Sequence, residues 1–102
     1  MNREDIASQL ISITWQQGII YPEQLTALYG ALELILPEKF KDLSRMQAGE
    51  IARHLQRIAT GEVWKQHHFR LTTEQRQGLN EAIEFLEQIE DNQLDYEKGR
   101  YD

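Results

Sequence analysis

Apolar residues recur every three to four positions over four stretches of the chain, which is the spacing of helices that each bury one face. The first stretch, residues 3–17, carries Ile6, Leu10 and Ile13 on one stripe. Asn2 stands directly before it, and a short polar side chain at that position accepts from the free N–H groups of the first turn. We therefore predict a first helix that Asn2 caps.

Start and stop residues mark the next two helices. Pro22 fits the first position of a helix, so the second helix is predicted to begin there and to end before Pro37. Ser44 and Gln47 have the spacing of a capping box, which predicts the start of a third helix. Gly61 suits the left-handed residue that closes many helices, and the third helix is predicted to end at it.

The last third of the chain divides into a connector, a helix and a tail. Residues 62–71 mix apolar, aromatic and basic residues without a clear period, and we interpret them as a structured connector. Thr72 and Gln75 form a second capping box, and the fourth helix is predicted to run to about Asn92. The polar residues 93–102 are predicted to form a C-terminal tail that frays when the protein is alone.

Four helices that are apolar on one face only must share a core to be stable. We therefore predict one compact all-α domain over residues 1–92, built from two antiparallel helical hairpins, the first pair of helices and the second pair, with the connector before the last helix. A chain of 102 residues has room for one such domain.

Composition narrows the classes of function. The chain has no cysteine, which excludes disulfides, thiolate metal sites and cysteine nucleophiles, and we expect a reducing cytoplasm. No apolar stretch is long enough to cross a bilayer, and the first residues do not resemble a signal sequence. Phosphate-binding glycine loops, nucleophile elbows and His-Glu-x-x-His motifs are also missing, so we expect no catalytic activity, no cofactor and no small-molecule substrate.

Charge is distributed unevenly along the chain, whose net charge is −6. One basic residue against five acidic ones gives −4 for residues 1–38, eight against four give +4 for residues 39–76, and two against eight give −6 for residues 77–102. Four carboxylates recur about once per turn on the fourth helix: Glu81, Glu84, Glu87 and Asp91. This acidic ridge either faces Arg53 or Arg57 and is neutralised within the chain, or contacts a partner. In the second case it docks a basic protein surface or imitates the phosphates of nucleic acid.

The aromatic residues fall into two groups. Trp15, Tyr29 and Phe85 belong to helical stripes and are predicted to lie in the core. Trp64 and Phe69 flank basic residues of the connector, and such a combination is typical of contact anchors in protein interfaces. The alternative is that both rings close the open end of the bundle.

A basic face around the third helix supports a second hypothesis, nucleic-acid binding. Arg53 and Arg57 lie one turn apart, and Lys65 and Arg70 follow in the connector, so these four side chains could contact phosphates. Residues 50–55, Glu-Ile-Ala-Arg-His-Leu, resemble part of the first helix of a helix-turn-helix. The pattern departs from that motif at its turn, because residues 56–59 continue the helical period.

The three histidines, His54, His67 and His68, are candidate metal ligands. Glu50 precedes His54 by one helical turn, but His67 and His68 are adjacent and would diverge in a helix or a strand. We therefore predict no metal site. The leading hypothesis is a small helical module that binds another protein or a second copy of itself, as an adaptor, inhibitor or assembly factor.

Overall fold

Four α-helices account for most of the chain that the computed structural model describes. The described residues are 1–15, 21–41, 46–61 and 71–100, with side chains described up to residue 92. The helices are α1 (Arg3–Thr14), α2 (Pro22–Ile35), α3 (Ala48–Ala59) and α4 (Thr73–Arg100). No strand occurs among the described residues, and the all-α four-helix prediction is confirmed.

Local sequence signals set most of the helix ends. The side chain of Asn2 accepts from the backbone N–H of Asp5 at 2.7 Å, so the predicted N-cap of α1 is confirmed. The capping box before α4 forms in both directions: the Gln75 N–H donates to the Thr72 hydroxyl at 3.1 Å, and the Thr72 N–H donates to Gln75 Oε1 at 2.9 Å. Gly61 has φ of +82°, as its predicted left-handed role requires.

Two helix ends differ from the prediction. Helix α3 begins at Ala48, and its N-cap, Gln47, has extended backbone and makes no side-chain cap hydrogen bond. Gln47 therefore does not occupy the third helical position that the predicted capping box needs, and its partner Ser44 lies outside the described residues. Helix α4 continues past Asn92 to Arg100, because no glycine or proline interrupts the chain between Gly78 and Gly99. The predicted fraying of residues 93–102 stays a prediction.

All four helices pack around one shared core. Helix α1 packs on α2 and α4, α3 packs on the same two helices, and α2 also contacts α4. Both predicted helix pairs are thus in contact, while their antiparallel orientation stays a prediction. The largest fully buried side chains come from all four helices: Leu10, Ile13, Leu28, Leu32, Ile35, Ile51, Leu55, Ile58, Leu79 and Leu86.

No helix in the described part of the chain is both long enough and apolar enough to cross a membrane.

Candidate docking surface

An open groove lies between the end of α1 and the outer side of α2. Its volume is about 580 Å³, and its wall is largely apolar. The lining residues are Ile11, Thr14 and Trp15 from α1, Tyr29 and Leu32 from α2, and Phe40 from the segment after α2. We call this feature the Trp15 groove.

The Trp15 groove is bordered by aromatic rings that the core does not cover. Trp15 is 82% exposed and Tyr29 is 40% exposed. The prediction that these two rings lie in the core is therefore wrong. Phe85, by contrast, is half-buried and packs against the core.

Helix geometry explains why Trp15 points away from the core. At 100° per residue, Trp15 lies about 180° around α1 from Ile6, which marks the buried stripe. It is also the C-cap of α1, where its backbone N–H donates to the Ile11 carbonyl at 3.1 Å. Because tryptophan is largely apolar, the sequence favoured a core position for Trp15. Its angle around α1, however, places the indole on the face opposite the buried stripe.

The floor and one end of the Trp15 groove are held firmly. Leu32 is 2% exposed and belongs to the core, so the floor does not depend on an occupant. The Thr14 hydroxyl donates to the Ile11 carbonyl at 2.6 Å, and the Phe40 N–H donates to the Leu36 carbonyl at 3.0 Å. Among the described residues that line it, the site therefore offers a largely apolar surface and no ionisable group other than the Tyr29 phenol.

The acidic ridge predicted on α4 is engaged in part by the chain itself. Glu81 Oε1 pairs with the α-ammonium of Met1 at 3.1 Å. Glu87 accepts from the side-chain amide of Gln56, a residue of α3, at 2.8 Å. Neither contact is made with the arginines that the sequence offered as partners.

The two other carboxylates of the ridge face solvent. The side chains of Glu84 and Asp91 are exposed, and neither makes a hydrogen bond or an ion pair within the described part of the chain. Half of the ridge thus faces solvent.

The basic face is described only on α3. Arg53 and Arg57 are both exposed there. Helix α3 runs without a turn through residues 56–59, so the departure from a helix-turn-helix noted in the sequence is present in the fold. The remaining residues of the two predicted sites lie outside the described residues: Trp64, Lys65, Phe69 and Arg70.

Histidine and carboxylate side chains are the candidate metal ligands of this chain. Within the side chains that the structure describes, no three such groups come together in a way that could hold a metal ion. His54 lies beside the N-terminal end of α2, in a small pocket that Tyr21, Glu23, Gln24 and Arg57 also line. His67 and His68 lie outside the described residues.

Comparisons with protein-family models, with curated proteins and with solved structures give no match to this chain.

Proposed function

We propose that this chain is a helical protein-binding module that docks a partner in the Trp15 groove and acts as an adaptor, inhibitor or assembly factor in the cytoplasm. The observation that carries the proposal is the 82% exposed indole of Trp15 beside an apolar groove. This site replaces the predicted pair Trp64 and Phe69 as the leading aromatic anchor.

The energetics of an exposed indole favour a macromolecular partner. Burying an aromatic side chain removes about 150–250 Å² from water, which corresponds to about 4–6 kcal/mol of gross hydrophobic free energy. Tryptophan and tyrosine are also the residue types that most often dominate the affinity of protein interfaces. The Trp15 groove is lined by one residue of each type, Trp15 at the end of α1 and Tyr29 on α2.

The chemistry of the lining favours a partner helix over a small molecule. A small-molecule site needs several convergent polar groups to orient its ligand. The described lining residues of the Trp15 groove supply two hydroxyls, and that of Thr14 already donates to the Ile11 carbonyl. A groove between two helices instead suits the apolar face of an amphipathic helix, whose side chains at three- and four-residue spacing enter it. The exposed carboxylates of the acidic ridge would favour a partner with a basic surface.

The test begins with a photo-cross-linking residue in place of Tyr29, which captures whatever occupies the groove in the native host. Binding of the purified partner is then measured by calorimetry for the parent chain, Trp15→Ala and Gln77→Ala. We expect Trp15→Ala to weaken binding by about 30-fold or more, since an anchor residue contributes at least about 2 kcal/mol. Gln77→Ala, an exposed change that lies in neither the groove nor the acidic ridge, serves as the control and is expected to weaken binding by less than about threefold.

The competing functions give different outcomes. Self-association that Trp15→Ala abolishes would assign the groove to a second copy of the chain. Salt-sensitive binding to DNA or RNA that Arg53→Ala and Arg57→Ala remove, and that Trp15→Ala leaves intact, would contradict the proposal in favour of the nucleic-acid hypothesis.

A further inference from the structure

The Trp15 groove places a protruding ring and a recess next to each other on one surface. Trp15 is 82% exposed, the highest value among the large apolar side chains that the structure describes. The recess beside it has a volume of about 580 Å³, and its lining includes Ile11, Tyr29 and Leu32. At about 30 Å³ for each non-hydrogen atom, the value for a water molecule, an indole fills about half of that volume. The recess therefore has room for an indole from another molecule.

A surface with both a ring and a recess is complementary to itself. In a two-fold dimer the same patch of both copies meets, so each contact between two residues occurs twice. A two-fold arrangement of two Trp15 grooves would place each indole in the other copy's recess, against Tyr29 and Leu32. A recess without a protruding ring beside it would not offer this pairing.

Charge does not oppose such a contact at this surface, although the chain as a whole carries −6. The described residues that line the groove include no charged side chain. The described charged residues within one helical turn of them along the chain are two acids and two bases: Glu33, Glu38, Lys39 and Lys41. The acidic ridge of α4, by contrast, is negative along its whole length. Two copies therefore meet less repulsion at the Trp15 groove than at the ridge.

The area of such a contact predicts a weak dimer. Two indoles, each exposed to the extent of Trp15, and the recess walls that they cover bury about 500–800 Å² in total. Stable interfaces bury about 1,200–2,000 Å², so the two copies should separate readily. A partner helix that extends past the ends of the groove buries more surface than a second copy does, and it can therefore replace the second copy.

We propose that, without a partner, two copies of this chain form a weak two-fold dimer in which each Trp15 indole fills the Trp15 groove of the other copy. Docking of the partner then separates the two copies, because both need the same groove. Self-association thus regulates access to the docking site. Only this second step rests on the docking proposal.

The first experiment is analytical ultracentrifugation of the parent chain up to a concentration of about 1 mM. We expect a monomer–dimer equilibrium with a Kd of about 10–300 µM. Trp15→Ala should raise that Kd at least about tenfold, since it removes the anchor of both contacts. Tyr21→Ala is the matched control, because it removes a ring that is 48% exposed but does not line the groove. Its Kd should stay within about twofold of the parent value.

A second measurement locates the indole in the dimer and leaves the groove unchanged. A ¹³C-labelled parent chain is mixed with unlabelled Trp64→Phe, in which Trp15 is the only tryptophan. We expect isotope-filtered NOEs between the Trp15 indole of the unlabelled copy and the methyl groups of Ile11 and Leu32 of the labelled copy. The labelled chain alone should give none.

The second step is tested with the purified partner of the docking experiment. The partner is titrated into the parent chain at a concentration where the dimer predominates. We expect the sedimenting complex to contain one copy of the chain, and the NOEs between copies to disappear. A dimer that the partner leaves intact would overturn the regulatory step and would make the second copy the lasting occupant of the groove.

Two other results would overturn the dimer itself. One is a parent chain that stays monomeric up to about 1 mM. The other is a dimer whose Kd Trp15→Ala leaves unchanged, or one without NOEs from the indole to the groove, since either would place the contact on a different surface. The docking proposal has a separate readout, the loss of partner binding in Trp15→Ala, so a monomeric chain that still loses its partner in this variant contradicts the dimer alone.

Discussion

Helix α1 has two seams of opposite character, one against α4 and one against α2. Against α4, Gly78 lies so close to α1 that an added Cβ would be 2.6 Å from Gln9 Cβ. In the same seam, Gln75 Nε2 donates to the Ser12 hydroxyl at 2.9 Å. We call this the closed seam, since backbone approach and a hydrogen bond together fix the two helices.

The seam against α2 is tight along the core but opens at the end of α1. There Trp15 is 82% exposed and lines a groove of about 580 Å³. Within the described residues, this end of α1 is therefore covered less on its α2 side than on its α4 side. The proposed function places the partner in this open seam. It follows that changes in the closed seam should affect stability, and changes in the open seam should affect binding.

Gly78→Ala gives the largest expected loss of stability. The new methyl group would meet Gln9 Cβ, which its own backbone holds in place, so α1 and α4 would have to move apart. We expect the free energy of unfolding to fall by about 2 kcal/mol, after allowance for the better helix propensity of alanine. Chemical denaturation followed by circular dichroism measures the change.

Gly49→Ala is the matched control for Gly78→Ala. The three atoms nearest to a Cβ at Gly49 all belong to the carboxyl group of Glu90, which is the far end of a flexible side chain and can move away. We expect a stability within about 0.5 kcal/mol of the parent, or a small gain from helix propensity. If Gly78→Ala and Gly49→Ala lowered the free energy of unfolding equally, α1 and α4 would not approach each other more closely at Gly78 than α3 and α4 do at Gly49.

Gln75→Met should have a smaller effect in the same seam. Gln75 is 3% exposed, and its amide both accepts from the Thr72 N–H and donates to Ser12. Methionine keeps the volume and loses both hydrogen bonds, so we expect the free energy of unfolding to fall by about 1 kcal/mol. Gln77→Met, an exposed change two residues further along α4, is expected to leave stability unchanged. If Gln75→Met and Gln77→Met lowered the free energy of unfolding equally, the hydrogen bonds of Gln75 would not stabilise the closed seam.

Much of the fold could be predicted because its signals are local. Asn2, Thr72 and Gly61 act through hydrogen bonds or dihedral angles within a few residues of themselves, and the structure shows each in its predicted role. Ser44 and Gln47 have the same spacing as Thr72 and Gln75, yet α3 begins after them. Sequence spacing shows that a capping box is possible there, but packing decides where the helix starts.

The candidate sites were harder to predict, since they depend on which surface the fold leaves open. The distribution of charge along the sequence predicts the acidic ridge. It does not predict that Met1 and Gln56 bind half of its carboxylates. One signal in the sequence does locate the open surface: the angle of Trp15 around α1 places it opposite the buried stripe.

Trp15→Ala should have the smallest effect on stability of the variants that remove a contact, although it removes the largest side chain. A core tryptophan changed to alanine costs about 3–5 kcal/mol, because it leaves a cavity. At 82% exposure the indole of Trp15 fills no such space, so we expect a change below about 0.5 kcal/mol together with the large loss of partner binding proposed above. Chemical denaturation followed by circular dichroism checks the expected change in the free energy of unfolding. A loss near that of Gly78→Ala would mean that Trp15 packs against the chain in solution, and the open seam would then be a closed one.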